Sequence, residues 1–127
     1  MVSPMHYLLD AKCAKGLDDV VVVEAFVREV VDRLGLHIVK RTDGSEVIDS
    51  LSFEEDKNLP SDDQFGAGVS CLALISESNI AVHTRTLEQK INIDVFSCRG
   101  FPTDEIYSVI DRYFEVQQIE RQQILSR

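Results

Sequence analysis

The 127-residue chain predicts an α+β fold, a two-layer sandwich in which an antiparallel sheet carries two helices on one face. Three observations lead there. Apolar runs of strand length recur at 69–75, 80–84 and 91–98. The gap 85–90 is too short for a crossover helix, so the last two runs are antiparallel neighbours joined as a hairpin. Two other stretches, 20–34 and 103–113, carry their apolar residues at helical spacing instead. The length suits a single domain over 1–127, able to bury a core without metal or disulfide staples.

Residues 5–12 read as a first strand, with His6, Leu8 and Asp10 on one face. Gly16 ends it, and Asp18 and Asp19 supply an acidic first turn for a helix whose stripe is Val23, Phe26, Val27, Val30, Val31 and Leu34. The valine run at 20–23 is a poor helix former, so packing has to decide that end; Gly35 is the stop. Leu36–Arg41 reads as a second strand and Val47–Phe53 as a weak alternating one, separated by the turn chemistry of Thr42–Ser45. The acidic stretch from Glu54, with Pro60 and Asp62-Asp63, is expected to be an exposed loop. Val69–Ile75 reads as a buried strand, and Ile91, Ile93 and Val95 alternate against Asn92, Asp94 and Phe96. Thr103 is the expected N-cap of the second helix, with Asp104 and Glu105 behind it and Ile106, Val109, Ile110 and Tyr113 as its stripe. The polar tail after Val116 reads as a frayed extension or a partner contact.

Composition narrows the function. A net charge of −9 argues against nucleic-acid and anionic-membrane surfaces, which call for basic patches. No apolar run is long enough to span a bilayer, and the N-terminus lacks the pattern of a secretory signal. Cys13, Cys71 and Cys98 are an odd set without CxxC spacing, and His6, His37 and His83 are scattered, so neither a disulfide framework nor a metal site is expected. The cytoplasm is the simplest compartment. Two helices cover only one sheet face, so a second copy of the chain is the expected cover for the other.

Chemistry concentrates in 68–98. Ser78 stands between two apolar runs, His83 follows five residues later, and Cys98 closes the next strand twenty residues later. Nucleophile, base and thiol on adjacent strands form a catalytic set or an ordinary strand edge; residue types alone leave both open.

The pattern Gly68-Val69-Ser70, Ile75-Ser76-Glu77-Ser78, His83-Thr84 and Asp94-Val95-Phe96-Ser97-Cys98 resembles the short prokaryotic S-adenosylmethionine decarboxylases, the self-processing pyruvoyl enzymes. His6 and its strand resemble that family's N-terminal strand. The resemblance implies cleavage between Glu77 and Ser78, giving a β chain of 1–77, an α chain of 78–127 and a pyruvoyl group made from Ser78. It implies that a strained turn favours the reaction, that His83 and Ser70 assist processing, and that the ketone condenses with the substrate's α-amine. It also implies that Cys98 returns the proton after carbon dioxide leaves, and that the active form is a homodimer of cleaved protomers of polyamine biosynthesis. Cys13 and Cys71 read as buried structural thiols and His37 as an ordinary strand histidine.

The chain departs from the family where the nucleoside is recognised. Ser-His becomes Ser78-Asn79, and His-Thr-Trp-Pro-Glu becomes His83-Thr84-Arg85-Thr86-Leu87, with Glu88 one place beyond the expected carboxylate. Phe65, Arg85 and Glu88 are the candidate substrate-binding residues, with Asp62-Asp63 able to receive a distal amine. S-adenosylmethionine is the expected substrate; the alternatives are ornithine or arginine on the same scaffold, or an uncleaved homologue with a regulatory or assembly role.

Overall fold

The computed structural model describes residues 4–54 and 66–126. In chain order the elements are β1 (Met5–Cys13), α1 (Val20–Arg33), β2 (Ile48–Phe53), β3 (Gly68–Ile75), β4 (Ser78–Arg85), β5 (Lys90–Ser97), α2 (Thr103–Phe114) and β6 (Val116–Ser126). The strands form one sheet in the order β2-β3-β4-β5-β1-β6, and every pairing is antiparallel. Both helices lie on one face, as the periodicity predicts.

Period-two alternation in the central strands creates the layer. Tyr7, Leu9, Ala11 and Cys13 of β1, Val69 to Ile75 of β3, Ile80 and Val82 of β4 and Ile91 to Val95 of β5 turn their buried side chains toward the helices. They meet Val23, Phe26, Val27 and Val30 of α1 and Ile106, Val109, Ile110 and Phe114 of α2. This burial outweighs the poor propensity of the Val20–Val23 run. Asp19 holds the same end as the N-cap rather than as a first-turn charge, its carboxylate accepting the Val21 and Val22 amides at 2.9 and 3.3 Å.

Gly68 is required by a close approach. A Cβ there would stand 2.0 Å from the Thr84 carbonyl oxygen and 2.7 Å from the Phe53 ring. Thr84 is itself fully buried, its hydroxyl accepting the Val69 amide at 2.9 Å and donating to the Leu17 carbonyl at 2.5 Å.

Three expectations are corrected. Leu36–Arg41 is not a strand: it makes only isolated bridges, Ile38 to Ile75 and Lys40 to Glu46, because β2 already occupies the edge of β3. The tail is not frayed; it is β6, eleven residues paired with β1 and kinked by two register shifts. Its side chains are exposed or half-buried throughout, so no apolar alternation marked it in the sequence. Thr103 is the first helical residue of α2, preceded by Pro102, and no side chain caps that end. Phe65, Asp62 and Asp63 lie outside the described residues.

Candidate active site

The β3–β4 turn is as tight as a hairpin allows. Ile75 pairs with Ser78, leaving Ser76 and Glu77 as a two-residue loop. Neither has positive φ, a conformation that non-glycine residues adopt only at Gln89 and Glu115 among those described. The expected strained turn is therefore absent as left-handed backbone. The peptide is held by contacts instead: the Glu77 carbonyl accepts the Cys98 amide at 2.8 Å, and the Ser76 amide donates to the His37 carbonyl at 2.7 Å.

Ser78 opens β4 opposite Ser97, which places Cys98 one residue beyond its cross-strand partner. The Asn79 side-chain Nδ2 donates to the Ser78 hydroxyl at 3.3 Å. Glu77, Ser78 and Cys98 thus share one end of the sheet, with Cys98 exposed and Ser97 fully buried beside it. The Glu77 side chain is only 13% exposed although it sits at a loop tip. It accepts the His37 amide at 3.2 Å, approaches His37 Nδ1 at 3.4 Å and pairs with Arg99 at 3.6 Å. Desolvation opposes its charge, but the His37 hydrogen bonds and the Arg99 charge prevail and hold the carboxyl below its ordinary value.

Ser70 and His83 form a second cluster. They are cross-strand partners on the face away from the helices, with the Ser70 hydroxyl 2.8 Å from His83 Nδ1. Beside them a hollow of about 250 Å³ is lined by Asp49, Leu51, Leu72 and Ala81. His83 is five residues along β4 from Ser78, which at about 3.3 Å per residue is roughly 16 Å. The two clusters do not meet within one chain. Arg85, the last residue of β4, and Glu88, in the β4–β5 turn, lie further still; Glu88 pairs with Arg85 at 3.9 Å and with Lys90 at 3.6 Å. They approach neither Ser78 nor Cys98 of their own chain.

The same open face carries two more polar pairs, His6 with Asp94 at 2.6 Å and Asn92 with Asp10 at 2.7 Å. Cys13 and Cys71 are buried, as predicted. Burial first, then Asp111, pushes the Cys13 thiol up to about 11. Burial and Glu24 push Cys71 up to about 11, against a smaller opposing effect of Arg28. Sequence reasoning missed His37, Asn79 and Arg99. His37 is in no strand; its partner lies forty residues away, and no local pattern marks such a contact. Among the described residues no group of acidic, histidine and cysteine side chains is arranged to hold a metal, and no helix is long and apolar enough to cross a membrane.

Fold and site together define a two-layer α+β protein with a serine, a thiol and a hydrogen-bonded peptide carbonyl gathered at one hairpin. The family model for S-adenosylmethionine decarboxylase matches residues 5–127, and the chain belongs to that family. Decarboxylation is accordingly the reaction its family describes. In structure it is similar to the adenosylmethionine decarboxylase from Aquifex aeolicus VF5, with a TM-score of 0.69 at 17% identity over 99% of this chain and 91% of that one. At that identity the likeness speaks for the fold. No curated protein is significantly similar to the chain in sequence.

Proposed function

We propose that the chain is a self-processing, pyruvoyl-dependent decarboxylase that acts on S-adenosylmethionine in polyamine biosynthesis. The observation that carries this reading is the 2.8 Å hydrogen bond from the Cys98 amide to the Glu77 carbonyl, with the Ser78 hydroxyl on the next residue. The Ser78 oxygen adds to that carbonyl carbon, and the Cys98 amide stabilises the negative charge that develops on its oxygen. The amide nitrogen leaves with a proton, and the peptide becomes an ester. Loss of the Ser78 α-proton expels Glu77 as a carboxylate and leaves dehydroalanine, which takes up water and releases ammonia.

The residues present fit a pyruvoyl group at position 78, because the new chain terminus would lie beside an exposed thiol. That group supplies a ketone that takes the substrate's α-amine and draws electrons as carbon dioxide departs. Cys98, one residue past the cross-strand partner of Ser78, is placed to return a proton to the substrate carbon.

Ser70 and His83 serve processing only from a second copy, because roughly 16 Å of extended strand separates His83 from Ser78. A homodimer joined through the open sheet faces supplies them. A two-fold axis between those faces, crossing β4 near Ile80 and Ala81, exchanges the two ends of the strand. Leu51, Leu72 and Leu74 stand exposed on that face at 56, 51 and 42%, an apolar surface a partner would cover.

Intact-mass analysis of the purified protein tests the reading, followed by carbon dioxide release from S-adenosylmethionine, ornithine and arginine. The expected result is two chains, 1–77 and 78–127, with activity on the adenosyl substrate. A single uncleaved mass would leave an assembly or regulatory role. Activity on ornithine or arginine alone would move the substrate to the basic amino acids.

A further inference from the structure

A glutamate at the tip of a two-residue hairpin normally lies in solvent. Glu77 is instead drawn down onto the segment that follows α1. Its carboxylate is met by the His37 amide at 3.2 Å, the His37 ring at 3.4 Å and the Arg99 guanidinium at 3.6 Å. The guanidinium is anchored in turn by its hydrogen bond to the Gly35 carbonyl. The main chain of the same turn is fixed on both sides, Ser76 to His37 and Glu77 to Cys98. Arg99 directly follows Cys98, so one short stretch grips both the carbonyl of Glu77 and its side chain.

Exposed ion pairs contribute little to stability, and Arg99, with its side chain 44% exposed, should be nearly dispensable for folding. Its effect is expected in orientation. The direction of the Glu77 carbonyl depends on rotation about a single backbone bond, and fixing the side chain from outside the hairpin restricts that rotation. We propose that Arg99, together with the Gly35–His37 segment, is a positioning residue for self-cleavage: it clasps the Glu77 carboxylate and so presents the Glu77 carbonyl to the Ser78 hydroxyl. This rests on the cleavage proposed above.

The test follows loss of the intact chain by mass after cell-free synthesis of the full-length protein. Arg99→Ala is expected to slow cleavage roughly five- to tenfold, and Arg99→Lys to recover part of the rate while the melting midpoint of both stays near wild type. In a Glu77→Gln background, Arg99→Ala should add almost nothing, because the two residues act as one unit. Wild-type cleavage in Arg99→Ala, no recovery in Arg99→Lys, or independent effects of the two substitutions each overturn the clasp while leaving self-cleavage standing. A wild-type chain that stays whole overturns both.

Discussion

Ser78 and His83 lie on the same strand, yet an extended backbone keeps them about as far apart as five residues can be. At about 3.3 Å per residue the separation is roughly 16 Å, several times the reach of a proton transfer. If both serve processing, they act across a dimer, and two inactive variants should repair one another. In a Ser78→Ala chain the cleavage site is lost but His83 remains; in a His83→Ala chain the reverse holds. Co-expressed in equal amounts with random pairing, about half of the His83→Ala chains find a Ser78→Ala partner. Those chains alone have an intact Ser78 facing an intact His83. Denaturing mass analysis should therefore find about half of the His83→Ala chains cut after Glu77, against almost none when that variant is made alone. The Ser78→Ala chains should stay whole in both cases. Failure of the mixture to exceed its components, with dimers verified by native mass, would falsify the shared site.

Four further outcomes are expected. Ser78→Ala should remain a single chain on denaturing mass analysis; a cut after Glu77 in that variant would remove the proposed chemistry. Gly68→Ala forces a Cβ to within 2.0 Å of the Thr84 carbonyl oxygen, so denaturant unfolding should register a loss of about 3 kcal/mol or more. Under native conditions at neutral pH a thiol reagent should modify Cys98 rapidly, while Cys13 and Cys71, buried and both pushed up to about 11, react only on unfolding. Those two buried thiols bind protons more tightly folded than unfolded. Their stabilisation is whole below the ordinary thiol range and is lost as pH rises toward about 11, so denaturant midpoints measured upward from about pH 8 should fall.

The central strands and both helices were legible because each buries one face, and burial writes its period into the sequence. Val23, Phe26, Val27 and Val30 mark α1 as clearly as Ile91, Ile93 and Val95 mark β5. β6 was illegible for the complementary reason: it pairs through its backbone with β1, and its side chains take little part in the core. Leu36–Arg41 misled because its apolar residues pack beside β3 without forming a ladder. At the site, the family resemblance marked Ser70, Ser78, His83 and Cys98 as a group but said nothing of distance. Only the register separates them into Ser78 with Cys98 and Ser70 with His83. Arg99 carries no mark in the sequence because what it holds, Glu77 and Gly35, comes from two other parts of the chain.

The strand order has a mechanical consequence. Were the chain cut between Glu77 and Ser78, β1, β2 and β3 would belong to one piece and β4, β5 and β6 to the other. In the sheet these are interleaved: β1 lies between β5 and β6, and β4 follows β3. Three of the five ladders then join different polypeptides, and each piece contributes one helix to the shared core. The two fragments would be woven together, so neither could leave without dismantling the sheet. Scission would cost the molecule one tight connection and leave it, thermodynamically, a heterodimer whose dissociation is the same event as its unfolding.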